Sequence, residues 1–214
     1  MIPPCLELDT FDGKWGFIAV AMVNSKNLRP KGFPAFMGND FFLTGYRIFV
    51  RYTTSAGKRL RGLYIIGSET NKKKMSLLGN IFTHYQYTTT DISCVSDESK
   101  IQVRSEKSGL DIEVEINKED ASLPPHSPFN DWKEARRYAG PLPFTFTYNA
   151  GKRQVLIIEG VREHWEPKAV EVTKAKVGFL DQLKLNGIVL ANVFIIQNIP
   201  YYWKKGRVDL WKEQ

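Results

Sequence analysis

Period-two alternation of apolar and polar side chains dominates the chain. From Phe41 to Tyr52 one face carries Phe42, Thr44, Tyr46, Ile48, Val50 and Tyr52, and the other carries Phe41, Leu43, Gly45, Arg47, Phe49 and Arg51. A strand places alternate residues on opposite faces, so this run predicts a strand over 41–52. The same reading gives strands at Trp15–Asn24, Leu60–Gly67 and His84–Val95. The clearest pair is Ile101–Glu106 with Leu110–Asn117: Leu110, Ile112, Val114 and Ile116 alternate with Asp111, Glu113, Glu115 and Asn117, and Lys107-Ser108-Gly109 supplies the turn. This is a hairpin with one wet face. Further strands are predicted at Phe144–Asn149, Gln154–Arg162, Ala169–Ala175, Ala191–Gln197 and Arg207–Trp211.

Few stretches follow the helical period. Thr70 can cap a helix to about Phe82, with Met75, Leu78 and Phe82 on one stripe. A second starts at Asn130 or Asp131 and runs through Tyr138, and a third covers Gly178–Leu185. Strands outnumber helices, turn signals recur, and no internal repeat is visible. The predicted fold class is mainly β (α+β): a mostly antiparallel barrel or sandwich-like sheet with two or three short helices. The Pro124, Pro125 and Pro128 loop has strand-rich flanks on both sides, so residues 1–214 read as a single domain.

Composition refines this picture. With 214 residues, 43% hydrophobic and 25% charged, the chain can bury a sizeable core and lies outside the disordered class. No apolar run reaches a membrane-spanning length, and the N-terminus has no signal-like segment. Cys5 and Cys94 are too few for a disulfide framework. A cytoplasmic protein with reduced thiols is expected. The formal net charge is +7, and six of the basic residues lie between Lys58 and Lys74 against one acid, Glu69. Such a field suits anionic metabolites, a nucleic-acid backbone, or a merely solvated face.

The familiar chemical signatures are absent. No G-x-G-x-x-G follows a strand, and there is neither a phosphate-binding loop with Gly-Lys-Ser/Thr nor a G-x-S-x-G elbow. His84, His126 and His164 are too far apart to make a zinc site. No cofactor and no metal are expected.

Four constellations remain. Arg47 either lines an interior beside Gly45, as a bidentate clamp for an organic acid, or points to solvent with Arg51 while the Phe42–Tyr52 face makes the core. His84 and Tyr85 open a strand after the first helix, a rim position where they could orient a carbonyl or hydroxyl. Lys72, Lys73 and Lys74 crowd the first helical turn, either as a solvated surface or as an anion site. Tyr201-Tyr202-Trp203-Lys204-Lys205 could stack on bases or sugars, or cover the end of a barrel.

The opening Pro3-Pro4-Cys5-Leu6-Glu7-Leu8-Asp9-Thr10-Phe11-Asp12-Gly13-Lys14 resembles the start of an uncharacterised bacterial family whose members look like distant relatives of acetoacetate decarboxylase. Tyr46–Arg51, Leu63-Tyr64-Ile65, Ser76–Phe82 leading into His84-Tyr85, and Gly206–Trp211 extend the resemblance over most of the chain. It implies a β-barrel with an internal cavity. True acetoacetate decarboxylases form a Schiff base between a lysine and a 3-oxo acid. The lysine pair expected after the Ser76–Phe82 segment is missing, since the chain reads Phe82-Thr83-His84-Tyr85-Gln86 there. Leu43 stands where relatives tend to carry a carboxylate. Relatives also begin with an additional strand, whereas Met1 lies almost on the Pro-Pro motif, so an uncovered sheet edge and a homodimer are expected.

Three functional readings follow. The leading one is an interior site for a small anionic metabolite, built from Arg47, His84 and Tyr85. The second is a lyase-type or hydrolase-type enzyme acting on an oxo acid without the Schiff-base lysine, with His84 or Tyr85 as acid–base. The third is a nucleic-acid-binding module using residues 58–74.

Overall fold

The alternation over residues 41–52 belongs to the longest strand of the protein, β3 (Asn39–Thr53), around which the largest sheet is built. A computed structural model describes residues 2–28, 39–76, 80, 85–118, 121–140, 142–162, 166–197 and 199–211. Before β3 come β1 (Leu6–Leu8) and β2 (Ile18–Leu28); after it come β4 (Arg59–Thr70), β5 (Tyr87–Thr89), β6 (Ser93–Ser96), β7 (Lys100–Ser105) and β8 (Leu110–Glu115). Helix α1 (Trp132–Ala135) runs into a tighter 3₁₀ turn, Arg136–Tyr138. The remaining elements are β9 (Phe144–Asn149), β10 (Gln154–Arg162), β11 (Lys168–Ala169), β12 (Glu171–Val177), α2 (Gly178–Gln182), β13 (Phe194–Ile195), β14 (Tyr201–Trp203) and β15 (Arg207–Leu210). The protein is mainly β with short helices. Among the described residues no helix is long and apolar enough to cross a membrane.

The main sheet has nine strands, with the path β1-β3-β4-β9-β10-β14; β2 also pairs β3, β5 also pairs β4, and β15 also pairs β10. Most neighbours are antiparallel, but β4 pairs with both β5 and β9 in parallel. A second sheet has the order β12-β8-β7-β6 and contains the hairpin read from the sequence. Its inner face, with Val103, Leu110, Ile112 and Val114, packs against Phe42 and Met22 at the start of β3 and in β2.

The main sheet is strongly curled. From β3 to β15 there are four strand spacings, about 19 Å across a flat sheet. Yet the Tyr52 hydroxyl on β3 donates to Asp209 Oδ2 on β15 at 2.6 Å. Ile48, Val50, Tyr52, Leu60, Phe146, Val155 and Ile157 fill the concave side of that curl. Among the described residues neither sheet closes on itself, so the expected barrel reduces to a curled open sheet whose ends meet through side chains.

The Asp209 contact gives a pH prediction. Burial opposes its charge, but hydrogen bonds from the Ser55 hydroxyl, the Tyr52 phenol and the Ser55 amide outweigh burial and hold the carboxyl below the usual carboxylate range. A carboxylate more acidic in the folded than in the unfolded chain adds stability above its unfolded pKa of about 4, and that stability disappears as pH falls through the folded value. Unfolding midpoints measured from neutral pH down into acid should therefore fall less steeply for Asp209→Asn than for wild type.

Several sequence expectations need correcting. β4 runs through Thr70, whose hydroxyl accepts from the Lys72 amide at 3.4 Å, and the helical turn starts only at Lys73. Residues 77–79 and 81–84 of the predicted first helix and its exit lie outside the described residues. The strand expected over 84–95 is two, β5 and β6, in different sheets. Ahead of β5 the chain is turned by Gln86, at φ +53°, a left-handed conformation rare for a side-chain-bearing residue. The strand expected over 191–197 shrinks to Phe194–Ile195. The second helix fits: Asp131 caps it by accepting from the Glu134 amide at 2.8 Å.

Candidate functional site

Strand register assigns Arg47 to the convex face. Ile48, Val50 and Tyr52 enter the curl, so Arg47, Phe49 and Arg51 face the opposite way. The expectation of an interior Arg47 is thus corrected. The outer face is no simple solvent face either, because a second layer covers it. Phe49 and Leu63 pack there with Phe129, Ala135 and Tyr138, and Phe17, Ala191 and Phe194 join them. Beside them Ile65, Tyr85, Tyr87 and Ile158 form a second cluster.

Arg47 lies between these clusters. Its direct neighbours are Ala19 on β2 and Ile65 on β4; the next row on the same face is Ala21, Gly45 and Ser68. The guanidinium folds back along β3 over Gly45: a Cβ there would meet Nε at 3.0 Å and Nη2 at 3.2 Å. The side chain is half-buried, and its Nε has no hydrogen-bond partner among the described residues. No described carboxylate pairs with it either. The enclosed Nε is out of a ligand's reach, but the Nη1/Nη2 end has no hydrogen bond to a described residue and can meet an acceptor from outside.

Tyr85 shares this face through Ile65, which pairs with Arg47 and packs with Tyr85. Its hydroxyl is 2.6 Å from the Thr145 hydroxyl. The left-handed Gln86 lets Tyr85 and Tyr87 both enter the same cluster, their rings 6.3 Å apart. Asn80 holds this geometry: Oδ1 accepts from the Tyr87 amide at 2.6 Å and Nδ2 donates to its carbonyl at 3.0 Å. His84, the third expected residue, lies outside the described residues.

Arg51, on the same face, is held elsewhere. Asp9, fully buried, accepts from Arg51 Nε at 2.7 Å and also from Arg61 Nε. Arg61 lies over the Tyr138 ring at 4.9 Å, and the Tyr138 hydroxyl donates to the Thr10 carbonyl at 3.1 Å. Asp9 and Thr10 stand in the opening motif, which here latches the N-terminal segment onto the β3–β4 hairpin.

Lys72, Lys73 and Lys74 are all exposed at a short helical turn, with no second feature among the described residues at that end that would bind an anion. At Tyr201–Lys205 the aromatic residues form β14, and Lys204 pairs with Glu159 at 2.8 Å. Tyr46, fully buried, stacks on Phe179 of α2 with centroids 3.9 Å apart and donates to Glu69 at 2.7 Å. Burial, then the hydrogen bond to Glu69 and its charge, push this phenol well up, so it is a donor only. Cys5 and Cys94 are free thiols; burial pushes Cys5 up to about 11 and also raises Cys94, so both stay unreactive at neutral pH. Among the described residues no three His, Cys, Asp or Glu side chains converge on a metal position. A shallow surface depression of about 460 Å³, lined by Ser99, Lys100, Glu115, Asn117 and Lys118, lies on the four-stranded sheet.

Residues 1–200 match the DUF2071 family, described as an uncharacterized conserved protein. The chain belongs to this family. Among solved structures it is similar to an acetoacetate decarboxylase from Legionella pneumophila, at 12% identity and a TM-score of 0.52, over 99% of this chain and 76% of that one. At that identity the likeness shows the fold. No curated protein matches the sequence. The resemblance read from the opening motif is thus supported in both its parts, the uncharacterised family and the acetoacetate-decarboxylase-like fold.

Proposed function

We propose that this DUF2071 protein binds a small organic acid at Arg47. The observation that carries the reading is the half-buried guanidinium that pairs with no described carboxylate, its enclosed Nε leaving the Nη1/Nη2 end for a ligand. A bound carboxylate would supply the missing charge through two parallel N–H···O bonds. Tyr85 and Thr145, on the same face, would orient a carbonyl or hydroxyl of the ligand. The fold is that of a protein named for acetoacetate, which puts oxo acids first among candidates.

The nucleic-acid reading loses its contiguous patch. Lys58, Arg59 and Arg61 lie at one end of the 12-residue β4 and Lys72–Lys74 beyond the other, about 40 Å apart along the strand. Arg59 and Arg61 are moreover paired to Glu7 and Asp9.

The test is a thermal-shift comparison with pyruvate, lactate and acetoacetate, run beside a short oligonucleotide. Ligand at 100 times its dissociation constant adds about 2.7 kcal/mol of stability. Wild type should shift with at least one acid and Arg47→Ala should not, while the unliganded midpoints stay close. An equal shift in Arg47→Ala, or a shift with the oligonucleotide alone, contradicts the proposal.

A further inference from the structure

Gly45 is out of place in β3. A glycine inside a strand is disfavoured by roughly 0.5–1 kcal/mol relative to alanine, and the neighbouring positions carry Phe41, Phe42, Leu43, Tyr46, Ile48 and Phe49. Its φ is not positive, so no turn or left-handed conformation requires it. Its cross-strand partners are also small, Ala21 on β2 and Ser68 on β4. One row across three strands is thus kept free of bulk, and the Arg47 guanidinium lies over it. Nε and Nη2, the two nitrogens nearest an added Cβ, form one edge of that plane. With this edge on the strand, the terminal Nη1/Nη2 end is left to meet a ligand.

We propose that the Ala21–Gly45–Ser68 row is a guanidinium seat, and that residue 45 is the positioning residue that sets anion affinity at Arg47. This rests on the acid-binding reading above and adds to it how the clamp is aimed. With Nε turned into the seat, the acid is met end-on by Nη1 and Nη2. A side chain at position 45 would lift the guanidinium off the strand and move its outer edge into the space the acid occupies. Fixing the fork beforehand removes rotamer freedom that binding would otherwise have to remove.

Two readouts separate the seat from the ligand. The first is the Arg47 Nε–H resonance, assigned by its loss in Arg47→Ala, and its exchange with water. The second is affinity for pyruvate, lactate and acetoacetate by calorimetry. Wild type should show a slowly exchanging Nε–H. Gly45→Ala should speed that exchange and weaken acid binding at least tenfold, with a cooperative unfolding transition retained. Ala21→Val narrows the same row from β2 with a residue that strands favour, and should act in the same direction; it decides the matter if Gly45→Ala does not fold. An unchanged Nε–H, or wild-type affinity in the narrowed variants, overturns the seat while leaving acid binding at Arg47 standing. A protected, Gly45-dependent Nε–H in a wild-type protein that binds none of the acids overturns the acid-binding reading, and with it any role of residue 45 in affinity.

Discussion

Gly62→Ala is expected to destabilise the protein by about 3 kcal/mol or more, a large fraction of a domain's typical stability. Gly62 lies in β4 between Val50 on β3 and Phe144 on β9. A Cβ there would be 2.5 Å from the Phe144 carbonyl oxygen and 2.5 Å from the Phe146 ring. The carbonyl belongs to the backbone of the parallel β4–β9 junction, so it yields only if that pairing opens. Phe146 is fully buried in the concave core, so its ring is hemmed in by the packed cluster. Gly67→Ala is the control on the same strand. Its added Cβ would meet the ring of Phe179 at 2.9 Å, a side chain on the short helix α2, which can shift, so a smaller loss is expected. Urea unfolding of the two variants checks the ranking; a Gly62→Ala midpoint near wild type contradicts the β4–β9 register.

Asp9→Asn should cost about 3 kcal/mol by the same measurement. The carboxylate has 0% exposure and takes hydrogen bonds from two arginines, and its amide donates to the Phe49 carbonyl at 3.0 Å. Removing its charge leaves two guanidinium groups without a counter-ion. Their side chains are 38% and 35% exposed, so water recovers part of the loss and the effect falls at the low end for a broken buried pair. The neighbouring Glu7–Arg59 pair, with both partners more than half exposed, provides the contrast. Glu7→Ala should change stability by less than about 1 kcal/mol. If Asp9→Asn also falls within that range, the opening motif is not the latch described here.

Much of the architecture was legible because one physical rule generates it. Alternation located β3, β4, β9, β10 and the β7–β8 hairpin, since a buried face must repeat every second residue. What alternation could not show is that β3 is buried on both faces. Phe49 reads as an outward position beside Arg47 and Arg51, and only tertiary packing by residues such as Phe129, Tyr138, Ala191 and Phe194 covers it. The choice between an interior and a solvent-facing Arg47 was therefore posed too simply. The short strands β1, β11 and β14 carry too few residues for a period to show. β14 reads as an aromatic-cation stretch, and β1 lies inside the opening motif.

Part of the candidate site was also legible. Gly45 beside Arg47 reads as room for a guanidinium in a barrel interior; the guanidinium does lie over Gly45, but on the convex face. Tyr85 comes to the same face, brought by a left-handed Gln86 that no propensity scale singles out. Asp9 was read only as part of a family motif; its pairing with Arg51 and Arg61 spans 42 and 52 residues and leaves no local signal. The same holds for Asp209, which meets Tyr52 across 157 residues.

The most direct test of the account is a crystal structure of the protein soaked with whichever of pyruvate, lactate and acetoacetate gives the largest thermal shift. The acid's carboxylate should lie about 3 Å from the Arg47 Nη atoms, at the free end of the guanidinium that rests over Gly45. A carboxylate bound instead at Lys72–Lys74, in the depression beside Lys100 and Lys118, or inside the curl against Tyr52 would contradict it.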